Sequence, residues 1–275
     1  MTQNIKKNIA VITGASSGIG REFVMQLINR EDIDEFWCIA RDKERLAELK
    51  DSFNKEIKVF SLDLTVESDL LQYKETLKKE SVNVKLLINC AGFGKFEHNE
   101  NIKLETKLNM IDLNCKAIVS MCDFSLPYMS NGASIINIAS TAAFQPIPGI
   151  NVYAATKSFV LSYSRALNQE LKYRGIKVLA VCPFWTRTNF FDRAVGEGKK
   201  ELVINYVAMY EPQDIVRRAL KDLNKRNKDV SIYGFKNKGQ ALLVKLLPHK
   251  IVMKIWMIQQ KFDGTPNIRK EKSVK

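Results

Sequence analysis

The chain has 275 residues, 45% hydrophobic and 27% charged, with a formal net charge of +13. That length and balance exclude a disordered chain and leave room for one large domain with a full core. No stretch reaches the ~20 uninterrupted apolar residues of a spanning helix.

The first apolar run, IAVIT (9–13), ends in a glycine turn and reads as a buried strand rather than a signal peptide. Further runs follow at EFWCIA (35–40), IKVFSL (57–62), VKLLIN (84–89), ASIINIA (133–139), IKVLAV (176–181) and DVSIY (229–233). They are near-continuously apolar, as strands covered on both faces must be. Between them lie helical patterns, the longest from Lys103 to about Tyr128 and from Asn151 to Tyr173. The alternation predicts an α/β fold: a doubly wound parallel sheet of about seven strands, with helices on both faces. Residues 1–235 are expected to form that body and residues 236–275 a basic helical tail.

The glycine turn TGASSGIG joins the first strand to a helix expected to begin near Arg21. Gly14 allows a tight turn, Gly18 lets the backbone approach a phosphate, and Gly20 permits close helix–strand packing. The helix N-terminus then offers N–H groups to a pyrophosphate. Ala40 at the end of the second strand is followed by Arg41, where a carboxylate would hold the ribose of NAD. A guanidinium suits a 2′-phosphate, which favours NADP(H) over NAD(H). The alternative is that Arg41 only begins the charged helix RDKERLAELK.

Tyr153 and Lys157 are four residues apart on a predicted helix and so share a face. An ammonium beside a phenol favours the phenolate, which lowers its pKa toward that of an acid/base catalyst. A surface pair is the plainer reading of that spacing. The five cysteines form no CxxC pair and there are only two histidines, so neither a metal site nor a histidine triad is expected. Scattered thiols point to a reducing, cytoplasmic setting.

Taken together, TGASSGIG, NCAG (89–92), Asn114, Ser140, Tyr153 and Lys157 stand in the order found in the short-chain dehydrogenase/reductase family. The chain resembles that family up to about residue 235, with some likeness to hydroxysteroid dehydrogenases and ketoacyl reductases. The resemblance implies a Rossmann-type fold and a nicotinamide cofactor. Tyr153 would be the general acid or base, and Lys157 would lower its pKa and hold the ribose. Ser140 would orient the carbonyl, and Asn114 would support a water-linked proton path from a bent helix. The cofactor would lie along Gly14, Ser16, Ser17, Gly18, Ile19 and Gly20, then Arg41, Asp63 and Leu64. It would continue past Asn89, Ala91 and Gly92 to Pro183, Thr186 and Thr188. The sequence departs from the family where Phe184 and Trp185 follow Pro183 in place of small residues. They either pack the pocket wall or alter its mouth.

Phe144, Trp185, Phe190, Phe191 and Tyr206 near the expected mouth suit a bulky hydrophobic carbonyl or alcohol, such as a steroid, bile acid or acyl chain. A 3-ketoacyl thioester is an alternative substrate, and a non-catalytic NADP-binding sensor or scaffold is an alternative of another class. From Arg217 onward 16 Lys/Arg stand against four Asp/Glu, with no readout motif for nucleic acid. In the tail, Val244, Leu247, Ile251, Ile255, Ile258 and Phe262 recur at helical spacing opposite Lys250, Lys254 and Lys261, with Pro248 as a break. Three roles stay open for it: packing or self-association in a homo-oligomer (dimer or tetramer), peripheral contact with a membrane surface, and a substrate lid.

Overall fold

The computed structural model describes residues 6–195, 202–206 and 208–262. Seven strands form the sheet: β1 (Lys7–Thr13), β2 (Glu35–Ala40), β3 (Glu56–Ser61), β4 (Val82–Asn89), β5 (Ser134–Ile138), β6 (Lys177–Val181) and β7 (Val230–Ser231). All are parallel and lie in the order β3-β2-β1-β4-β5-β6-β7. Every apolar run read from the sequence is a strand. The last is cut from five residues to two, because it lies at the sheet edge and pairs with β6 only at Val230 and Ser231.

Side chains alternate across the sheet as the pleat requires. Ile9, Val11, Trp37 and Ile39 face one layer, made by α3 (Glu67–Lys79), α5 (Ala117–Ser125) and α6 (Asn151–Glu170). Ala10, Ile12, Phe36 and Cys38 face the other, made by α1 (Gly18–Leu27), α2 (Lys43–Asp51) and α8 (Pro212–Leu223). The chain reverses its winding direction between β1 and β4, which opens a crevice at the carboxyl ends of those strands.

The long helix expected over 103–128 is interrupted. α4 (Leu104–Ile111) passes through a π-helical turn at Asp112–Lys116 into α5, with Asn114 at the middle of that turn. A π turn inside a helix commonly marks a functional site.

Three further helices, α7 (Phe190–Val195), α9 (Phe235–Leu246) and α10 (His249–Gln259), gather over the carboxyl ends of β5 and β6. α9 packs on the 3-10 turn Thr141–Phe144. A third core joins Phe96, Ile147, Ile150, Ala194 and Val203 to the partly buried Trp256 of α10. The tail helices therefore pack on the body. Among the described residues no helix is long and apolar enough to cross a membrane.

The apolar phase expected for the tail does not run through it. Pro248 caps α10, so the helical phase restarts there, and the buried apolar residues of the two helices are Ala241, Val244 and Val252. Ile251 and Ile258 face outward instead, and Ile255 is half exposed at the edge of the cleft.

Candidate active site

The crevice is one continuous cleft of about 700 Å³. Its first half is made by strand ends and main chain. Gly14 takes φ +67°, and a side chain there would press on the Ala91 backbone at 3.0 Å. Thr13 Oγ1 fixes that approach by accepting the N–H groups of Cys90 and Ala91, at 3.0 and 3.1 Å. Gly20 packs so tightly that a Cβ would stand 2.2 Å from Gly14 O. α1 starts at Gly18, earlier than expected, and its cap Ser17 makes no side-chain capping bond. The first N–H groups of the helix, unpaired within it, are thus left to an anion. Ser16, Ser17, Gly18 and Ile19 all face the cleft.

Arg41, Asp63 and Leu64 line the far end of this half. Arg41 Nη1 pairs with Asp63 Oδ2 at 3.3 Å and stays exposed. Burial would raise the Asp63 carboxyl, but bonds from the Thr65 N–H and hydroxyl and from Arg41 hold it below its usual range. Asp42 lines the cleft beside Arg41, and its carboxylate also caps α2, accepting Arg45 N at 3.0 Å. Arg45, one turn on, also reaches the cleft; sequence reasoning misses it because it reads as one charge in a charged helix. Two guanidiniums and a glycine cradle fit a phosphorylated dinucleotide.

Asn89 does not line this cleft. Its position in the pleat turns it into the α5–α6 layer, 1% exposed, where its amide donates to Asn137 Oδ1 at 2.8 Å. Asn137 in turn donates to Ser164 Oγ at 3.0 Å. This buried ladder pins the ends of β4 and β5. Ala91 and Gly92, just beyond, do line the cleft.

In the middle of the cleft, Ser140, Tyr153 and Lys157 come together from β5 and α6. Ser140 Oγ accepts Ala142 N at 3.1 Å and shares a hydrogen bond with the Tyr153 hydroxyl. Lys157 is 4% exposed, donates to Ile138 O at 2.7 Å and stands over the Tyr153 ring at 5.6 Å from its centroid. Burial pulls the Lys157 ammonium down to about 8. Burial also pushes the Tyr153 phenol up to about 12, with the Ser140 hydrogen bond acting in the opposite sense. The phenol is therefore raised and not lowered as its lysine neighbour leads one to expect, with burial the dominant cause.

Asn114 is fully buried at the π turn. It accepts Phe93 N at 3.1 Å and donates to Phe93 O at 2.9 Å and to Thr156 Oγ1 at 3.0 Å. Its side chain thus clamps the loop after β4 to the residue preceding Lys157.

The second half of the cleft is built from side chains. Trp185 packs edge-on against Phe96 at 5.8 Å and against Tyr206 at 5.1 Å. Its backbone is tied to Tyr210, whose N–H donates to Trp185 O at 2.9 Å. Phe184 stands beside it at 5.9 Å, so both departures from the family pattern form wall. Pro183, Thr186 and Thr188 continue that wall, and Thr188 touches Gly18 across the cleft. Phe144, Phe190 and Phe191 line it too. Tyr206 stands behind Trp185 and Phe191 rather than on the cleft, because it fills the gap between them and the third core.

Sequence reasoning misses Phe96, which is 3% exposed and meets the rings of Tyr153, Trp185, Phe190 and Phe191. A packing or lid role is among those open for the tail, but not its residues: Val244, Val252 and Trp256 close the cleft, and Trp256 Nε1 donates to Pro148 O at 3.0 Å. No local motif announces either. The helical phase of α9 and α10 is the available signal.

The fold and the Tyr–Lys–Ser–Asn arrangement define a nicotinamide-dependent oxidoreductase acting on CH–OH groups. The short chain dehydrogenase family model matches residues 8–197, and the chain belongs to that family. It is 32% identical over 213 residues to the NADP-dependent 3-hydroxy acid dehydrogenase of Escherichia coli, covering 75% of this chain and 85% of that one. A short-chain dehydrogenase from Sphingobium yanoikuyae, solved with NADPH, superposes with a TM-score of 0.72 at 30% identity, covering 86% of this chain and 91% of that one. The bulky-bulky ketone specific alcohol dehydrogenase from Comamonas testosteroni gives 0.68 at 27% identity, covering 87% and 92%.

Proposed function

We propose that the protein is an NADP(H)-dependent carbonyl reductase, reversible as an alcohol dehydrogenase, acting on a bulky hydrophobic substrate. The observation that carries this reading is that Tyr153 and Ser140 share one cleft with an apolar chamber. That chamber is walled by Phe144, Ile147, Trp185, Phe190, Val252 and Trp256. Arg41 and Arg45 support NADP(H) over NAD(H). The NADP dependence of the Escherichia coli relative, the NADPH bound by the Sphingobium protein and the ketone named for the Comamonas protein agree with it. The complete tetrad weighs against a non-catalytic sensor, which needs no general acid.

The cofactor, when bound, supplies or accepts the hydride. The chain's own residues do the rest. Tyr153, with its phenol held protonated, donates its hydroxyl proton to the carbonyl oxygen during reduction and takes it back during oxidation. Ser140, its oxygen fixed by Ala142 N, orients that carbonyl and stabilises the charge developing on it. Lys157 holds a positive charge under the tyrosine ring, and Asn114 keeps Lys157 in place through Thr156. The described part of residues 1–235 forms the catalytic body, and the tail helices α9 and α10 complete the substrate chamber. A homo-oligomer fits Leu104, Leu108 and Ile111, exposed at helical spacing on α4.

The test is kcat/KM for NADPH oxidation with bulky ketones, 3-oxoacyl thioesters and small diketones, repeated with NADH. Bulky ketones are expected to lead. Preference for the thioesters would move the substrate class to acyl chains. Arg41→Ala is expected to weaken NADPH by ~10–100-fold and leave NADH nearly unchanged. Equal losses would contradict the NADP(H) reading.

A further inference from the structure

The tail helices bury one face and leave the other uncovered. Phe235, Leu242, Leu246 and Ile258 are 92%, 62%, 74% and 68% exposed. A helix pair that met only water would carry polar groups at those positions. The same segment holds six lysines and not one acidic residue between 230 and 262. Lys250, Lys254 and Lys261 edge a shallow groove along α10, floored by Pro148, Met253, Met257 and Phe262. An apolar face bordered by unbalanced positive charge is complementary to an acidic lipid headgroup over an acyl layer. A second copy of this face would instead set lysines against lysines, so charge disfavours self-pairing here.

The catalytic chamber reaches the same surface. Leu243 and Ile255 line the chamber and are also 55% and 45% exposed, so the chamber wall and the outer apolar face share residues. We propose that α9 and α10 dock on an anionic lipid surface, and that the hydrophobic substrate enters the chamber from that layer. The entry half rests on the proposed activity; the docking half does not.

The test is co-sedimentation of the full chain with vesicles of phosphatidylcholine alone and of phosphatidylcholine with phosphatidylglycerol. Binding is expected on the mixed vesicles at low salt, and at least ~10-fold weaker at high salt or on neutral vesicles. K250Q/K254Q should weaken it several-fold. L242S/L246S/I258S should remove it, and both variants should keep the wild-type melting temperature, since all these side chains are exposed. Tyr153→Phe should bind vesicles as the wild type does, which separates docking from catalysis. Absence of binding at low salt, or binding by both multiple variants as strong as the wild type's, would overturn the docking. A dimer that L242S/L246S/I258S converts to monomer, with vesicle binding unchanged, would assign the face to a second copy. For entry, mixed vesicles should raise kcat/KM for a vesicle-partitioned ketone in the wild type and not in L242S/L246S/I258S. An equal rate in both would overturn it.

Discussion

The two halves of the cleft are built by different means. The cofactor half is mostly main chain: a glycine turn, a helix N-terminus and three strand ends held together by Thr13 and the Asn89–Asn137 pair, with Arg41, Arg45 and Asp63 at its far end. The substrate half is side chain, drawn from Phe96, the loop around Trp185, and α10 with Trp256. Main-chain recognition admits few residue types, because a Cβ at Gly20 would meet a carbonyl at 2.2 Å. Apolar packing admits many, since volume and pattern are all it requires. One half is therefore sensitive to single atoms and the other tolerant of exchange.

The sharpest break of that contrast is Gly20→Ala. It should unfold the turn or cost NADPH binding at least ~100-fold, as overpacking against backbone cannot relax. Titration of NADPH by fluorescence, with a thermal melt beside it, checks this. Near-normal affinity would show that the close approach is not required.

Trp256→Ala should cost about 3 kcal/mol of stability and raise KM for bulky ketones while leaving NADPH affinity unchanged. Denaturant melts and initial rates read both. If NADPH affinity fell in parallel, the two halves would not be separable.

Lys157 gives a pH test. Its ammonium titrates near 8 when folded and near the ordinary lysine value of 10.5 when unfolded, so between those values the unfolded chain binds more protons. Stability of the cofactor-free protein therefore rises with pH across that window, and the full cost of burying the charge stands below about 8. Lys157→Met should raise the unfolding free energy near neutral pH by up to about 3 kcal/mol, and that advantage should shrink toward pH 10.5. A stability difference flat with pH would contradict the assignment.

The smallest effect is expected in the tail. Gly239 lies inside α9, where a side chain would find no atom within 4 Å of its Cβ, and no positive φ is required of it. Gly239→Ala should stabilise by ~0.5–1 kcal/mol through helix propensity alone. A loss there would place an unrecognised contact on that face.

What can be read in the sequence follows the same division. The strands are legible because burial on both faces leaves unbroken apolar runs, and Gly14, Gly20, Ser140, Tyr153 and Lys157 because their chemistry restricts each position. Asn89 is misplaced by its motif, since membership of a ligand-lining segment does not make every residue touch the ligand, and the pleat turns this one toward Asn137. Phe96 is invisible because its partners lie far away in sequence. The tail phase fails at Pro248, where one helical register ends and another begins. The Tyr153 pKa fails because charge proximity alone omits the desolvation that opposes it.

The most direct measurement compares wild type and Tyr153→Phe for NADPH oxidation with a bulky ketone, each with its NADPH dissociation constant. The account predicts an unchanged dissociation constant and turnover lower by ~10²–10⁴-fold, the usual worth of a positioned general acid. Turnover within a factor of two of wild type would contradict the role given to Tyr153 and, with it, the mechanism.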